Sequence, residues 1–192
     1  MLTPNEKKVL KYLLVNFNKD SSINQIGKEC GLSPNGAYKI LKKLERENVV
    51  TKIKISNLIS YKVSFTEKSK RFLELSFMED LEGKFLQRYN DLMPLKKVTE
   101  MAVIFGSYLK KSNPNDLDIL FIFKKSNFNK YTNILKEQQG IIPVKVHDVI
   151  QTKEDFRDNF KENKVLKEAV KEGLVLWGHS FLVKVLEDVC KR

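Results

Sequence analysis

Cysteine is nearly absent from this 192-residue chain: Cys30 and Cys190 are the only two, one near each end. That excludes a disulfide framework and a Cys-based zinc site. Long apolar runs are missing too. No stretch approaches the ~20 residues a membrane helix needs. Residues 1–10 are polar and lysine-rich, which is not a signal-peptide pattern. The expected compartment is therefore the cytoplasm, with no membrane partner. Internal repeats and low-complexity segments are lacking as well, and a hydrophobic share of 42% excludes a largely disordered chain.

Acidic residues are outnumbered. The chain holds 24 Asp and Glu against 35 Lys and Arg, a formal charge of +11. Such an excess favours an anionic partner such as nucleic acid. It is also uneven: residues 1–65 carry eleven Lys and one Arg against five acids.

That basic third has a readable order. Thr3 caps and Pro4 opens a helix over 5–17, with Val9, Leu10, Leu13 and Leu14 at helical spacing. Ser22 caps a second helix through Glu29, ended by Gly31. Ser33-Pro34 opens a third, to about Asn48, with Ala37, Ile40, Leu41 and Leu44 as its buried stripe. Its other face shows Asn35, Tyr38, Lys39, Lys42, Lys43 and Arg46. Alternating β-branched residues over 49–55 and 59–65, around Ser56-Asn57, make a hairpin. Three helices and a hairpin form a winged helix-turn-helix arrangement, and residues 23–44 resemble the MarR-like winged-helix families. The resemblance implies binding of double-stranded DNA by the third helix, with Lys52, Lys54 and Lys62 of the wing on phosphates.

Thr66 opens a long helical stretch. Phe72, Leu75, Met78, Leu81, Phe85, Tyr89 and Leu92 recur every three or four residues until Pro94. It reads as a connecting helix over 66–97, packed either on its own domains or on a second copy as a homodimer. From 98 onward, short apolar strands alternate with polar helices, giving an α/β unit over 98–192. The whole is then α+β: a winged helix-turn-helix over 1–65, a connecting helix, and a C-terminal domain with a mixed sheet.

Two features of that last domain carry chemistry. The apolar strand Met101–Phe105 runs straight into Gly106-Ser107, where glycine permits a sharp turn and close ligand approach, and the hydroxyl and free amides suit phosphate oxygens. Further on, Asp116-Leu117-Asp118 starts another strand, and alternation sets both carboxylates on one face. Paired carboxylates repel unless a cation lies between them, and Mg²⁺ prefers such oxygens.

Val103-Ile104-Phe105-Gly106-Ser107-Tyr108 followed by Asp116-Leu117-Asp118 resembles the DNA polymerase beta-type nucleotidyltransferase superfamily, and within it the minimal nucleotidyltransferases. The likeness covers roughly residues 98–160. It implies triphosphate binding at Gly106 and Ser107, and Mg²⁺ coordination by Asp116 and Asp118. It also implies a third carboxylate on the strand over 144–150. There the family position falls on His147, with Asp148 next to it. Asp148 shares the parity of Val144, Val146 and Ile150, as Asp118 shares that of Leu120 and Ile122, which favours Asp148 as the third catalytic residue. The expected activity is Mg²⁺-dependent transfer of a nucleoside monophosphate from a nucleoside triphosphate to a hydroxyl on a protein, nucleic acid or small molecule. The competing expectation is a winged-helix transcriptional regulator whose second domain is inactive and serves nucleotide sensing or dimerisation.

Overall fold

The computed structural model of the chain describes residues 2–191. They form two compact units: one runs through Phe77 and takes in Cys190, and the other is Met78–Val189.

In the first unit, α1 (Pro4–Val15) begins with a capping box, Thr3 and Glu6 each bonding the other's backbone amide. α2 (Ile23–Cys30) stops at Gly31, whose φ of 68° is the left-handed turn that ends a helix. α3 (Pro34–Arg46) is capped by Ser33. Val9, Leu10, Leu14, Ile26, Ala37, Leu41 and Leu44, from the three helices, are fully buried. β1 (Val50–Ile55) and β2 (Leu58–Val63) are an antiparallel hairpin closed by the pair Ile55 and Leu58. α4 (Glu67–Phe77) returns against α1.

The second unit opens with α5 (Gly83–Leu92) and a 3₁₀ turn over Met93–Lys97. The long helix expected from the heptad-like spacing is thus two helices with a non-helical stretch over 78–82. Gly83, at φ 51°, sits where the second begins. Leu75 and Met78, read as seam residues, are 47% and 43% exposed.

β3 (Met101–Phe105), a 3₁₀ turn (Gly106–Leu109) and β4 (Asp116–Ile122) follow, then α6 (Phe128–Gln139), β5 (Lys145–Gln151), α7 (Lys153–Asn159), α8 (Lys164–Glu172), β6 (Leu174–Trp177) and α9 (His179–Cys190). The sheet order is β5-β4-β3-β6, with β4 and β5 parallel and the other pairs antiparallel. β6 was not expected from the sequence. Its four residues are all buried, so no alternation marks them as a strand. Trp177, at its end, is core: the indole Nε1 donates to Thr99 Oγ1 at 3.1 Å.

Both faces of this sheet are covered. Ala102, Ile104, Leu117, Ile119, Phe121 and Val146 join one core with Tyr131 and Leu135 of α6. Met101, Val103, Leu120 and Ile122 are buried on the other face, where α8 packs against β3. The catalytic expectation therefore turns on which face each polar strand residue takes.

Candidate functional site

Asp116 and Asp118 open β4 on the face shared with Leu120 and Ile122, and there they meet the turn that leaves β3. Asp118 is paired with Phe105, the residue before Gly106. The Ser107 hydroxyl donates to Asp116 Oδ1 at 3.1 Å. Gly106 has a φ of 74°, and a Cβ added there would lie 2.5 Å from Asp118 Oδ2. The left-handed backbone calls for glycine, and a Cβ there would in addition have to push the Asp118 carboxylate aside. Gly106→Ala is expected to cost about 1–2 kcal/mol in denaturant unfolding for the backbone alone. A structure of the variant should show the Asp118 carboxylate turned away from the turn; a carboxylate left in place would mean the close approach constrains nothing.

The third side chain is His147, on β5. The parallel register sets Asp118 beside His147 and Ile119 beside Asp148. His147 Nδ1 lies 3.6 Å from Asp118 Oδ1 and 3.8 Å from Asp116 Oδ2. Among the described residues, Asp116, Asp118 and His147 form the group able to share a metal ion, one ligand atom from each falling within 4.8 Å of the others. All three side chains are partly open to solvent, at 38%, 28% and 44% exposure.

Asp148 is therefore not the third member, contrary to the parity expectation. It lies on the opposite face, where its Oδ2 accepts from the Tyr131 hydroxyl of α6 at 2.8 Å. Burial, and after it this hydrogen bond, raise the Tyr131 phenol well above its ordinary value. Lys145 is in register with Asp116 and makes no ion pair with either aspartate.

Lys84 of α5 steadies the loop between the turn and β4, a role not legible in the sequence. Its ammonium donates to the carbonyls of Tyr108 at 2.8 Å and Lys111 at 2.6 Å, and lies over the Phe85 and Tyr108 rings. Tyr108 itself is buried, edge-on to Phe85.

In the first unit, Asn35, Tyr38, Lys39 and Arg46 are exposed on α3 and Lys42 is half-buried, at spacings that keep all five on one helix face. Lys52 and Lys54 are exposed on β1. Two expected DNA contacts are tied to distant parts of the fold, while Lys42 pairs with Glu45 of its own helix at 2.8 Å. Lys43 Nζ pairs with Glu6 Oε1 of α1 at 2.6 Å, and Glu6 is buried. Burial alone would raise the Glu6 carboxyl, but hydrogen bonds from Lys43 and Thr3 outweigh it and hold the group below its ordinary value. Lys62 donates to the carbonyls of Phe17 and Lys19, both at 2.7 Å, and pairs with Asp20 at 3.0 Å.

No helix among the described residues is long and apolar enough to cross a membrane. Comparison with known families gives two matches: polymerase beta nucleotidyltransferase over residues 87–179, and winged helix-turn-helix DNA-binding over residues 2–51. No curated protein and no solved structure matches the chain. The two family matches fall on the two units whose geometry is described above, and the chain is a fusion of a winged helix-turn-helix DNA-binding domain with a polymerase beta-type nucleotidyltransferase domain.

Proposed function

We propose that the second domain transfers a nucleoside monophosphate from a nucleoside triphosphate to a hydroxyl acceptor, and that the first holds the protein on double-stranded DNA. The observation that carries the first half is the meeting of Asp116 and Asp118 with the Gly106-Ser107 turn, delivered by two different strands. The donor set suits a divalent ion, for which the sequence expectation is Mg²⁺: two carboxylates on one strand face and a ring nitrogen within 4 Å of both. Such an ion would neutralise phosphate charge and orient the reacting phosphorus. Gly106 lets phosphate oxygens approach the backbone, Ser107 offers them a hydroxyl, and Lys145 stands in register with Asp116 on the neighbouring strand.

His147 favours a second reading. An imidazole in place of the third carboxylate removes a negative charge from the centre, which suits a domain that binds nucleotide and reports it to the winged helix without turnover. The test is incubation of the full chain with α-³²P-labelled nucleoside triphosphates, divalent ion and candidate acceptors. Label moving covalently to protein, nucleic acid or small molecule supports transfer. Saturable nucleotide binding with no labelled product, across all four nucleotides, supports sensing.

For the first domain, Lys39, Lys42, Arg46, Lys52 and Lys54 are the proposed phosphate contacts. Five such cations imply a slope of about −4.5 in log affinity against log salt, roughly a 500-fold loss between 50 and 200 mM. Lys39→Ala with Arg46→Ala should flatten that slope by about 2. Lys43→Ala should leave it unchanged and register instead as lower thermal stability, because it strands the buried Glu6. Fluorescence anisotropy on a DNA duplex over a salt series checks all three, and a flat slope in the parent would overturn the assignment.

A further inference from the structure

The replacement of a carboxylate by an imidazole changes which ion the centre should prefer. Resting on the reading of Asp116 and Asp118 as an ion-holding pair, we infer that His147 is a third ligand and that it makes the centre selective for a first-row transition dication such as Mn²⁺ over Mg²⁺. The register fixes the ring beside Asp118, on the carboxylate face of the sheet. Its Nδ1 is 3.6 and 3.8 Å from one oxygen of each aspartate, beyond hydrogen-bond range. Two donors each about 2.1 Å from a shared ion lie at most about 4.2 Å apart, so the ring nitrogen sits within that span of both. Mg²⁺ is small, hard and selective for oxygen, whereas imidazole nitrogen suits Fe²⁺, Ni²⁺, Cu²⁺ and Zn²⁺ best; Mn²⁺ opens that series and binds such donors more weakly than they do, so it sets the mildest test of the difference. The same exchange lowers the ligand charge from three negatives to two, which weakens a purely electrostatic attraction to Mg²⁺. Asp148 does not restore the missing charge: it faces the other layer and is held by Tyr131.

The experiment measures ion binding directly, without turnover. The full chain is titrated with Mn²⁺, free ion being read from its aqueous electron paramagnetic resonance signal, and then back-titrated with Mg²⁺. The quantity is the ratio of the Mg²⁺ to the Mn²⁺ dissociation constant. His147→Asp, at an exposed edge-strand position, should lower that ratio by about tenfold or more, with Mg²⁺ binding tightened, and His147→Asn should lower it as well. A ratio unchanged within twofold in both variants would overturn the selectivity role, even with a working ion site. Asp118→Asn separates the two ideas: it should abolish binding of both ions. Unaltered Mn²⁺ binding in that variant would overturn the ion site itself, and the inference with it. Circular dichroism melts establish that each variant is folded.

Discussion

Asp118→Asn is expected to lower nucleoside monophosphate transfer by roughly a thousandfold or more, the scale on which one preorganised charge partner acts in a reaction site. The substitution is nearly isosteric. It replaces a carboxylate oxygen with an amide that donates, so it removes both the charge and a ligand atom. It should cost little stability, because the side chain is 28% exposed and sits at the sheet's open end. Thermal unfolding within a few degrees of the parent, together with lost transfer, is the signature of a chemical role. Transfer reduced less than tenfold would remove Asp118 from the centre and leave the nucleotidyltransferase proposal without its anchor.

The second large effect is structural. Gly178→Ala should destabilise the second domain by about 3 kcal/mol or more, in the class of severe backbone substitutions. Gly178 has a φ of 86°, and an added Cβ would collide with the Glu100 carbonyl oxygen and lie 2.8 Å from Met101 Cα. Both are backbone atoms at the start of β3, so no side chain can rotate away. A loss of that size lowers the unfolding midpoint of a domain near 100 residues by roughly 10–20 °C. Differential scanning calorimetry of the full chain reads it as a shift in the transition of one domain while the winged-helix transition stays put. An unshifted melt would mean that the edge formed by β3 and β6 yields to the methyl group.

Local chemistry was the legible part. Caps at Thr3, Ser22 and Ser33, the stop at Gly31, and the turn between β1 and β2 are decided by neighbours in the chain, and the structure has each of them. The same holds for Asp116 and Asp118, whose shared face follows from strand alternation. The choice between His147 and Asp148 failed because it compared apolar neighbours across two strands. That comparison works when only one face of a sheet is buried. Here Leu120 and Ile122 belong to one layer, and Val146 and Ile150 to the other. Both sets look alike in sequence, and only the register of β4 on β5 tells them apart. Lys43 was misread for a related reason: its partner Glu6 is 37 positions away, and nothing local distinguishes it from Lys42. The break after α4 was hidden by a heptad-like spacing that continues across 78–82.

Ser107 has one hydroxyl hydrogen, and Asp116 Oδ1 holds it. A phosphate oxygen settling at the turn takes that hydrogen and hands the carboxylate a vacant lone pair. A cation settling on Asp116 first does the reverse, leaving the serine looking for a new acceptor. Each visitor thus clears a seat for the other, and the two are expected to arrive more tightly together than either does alone.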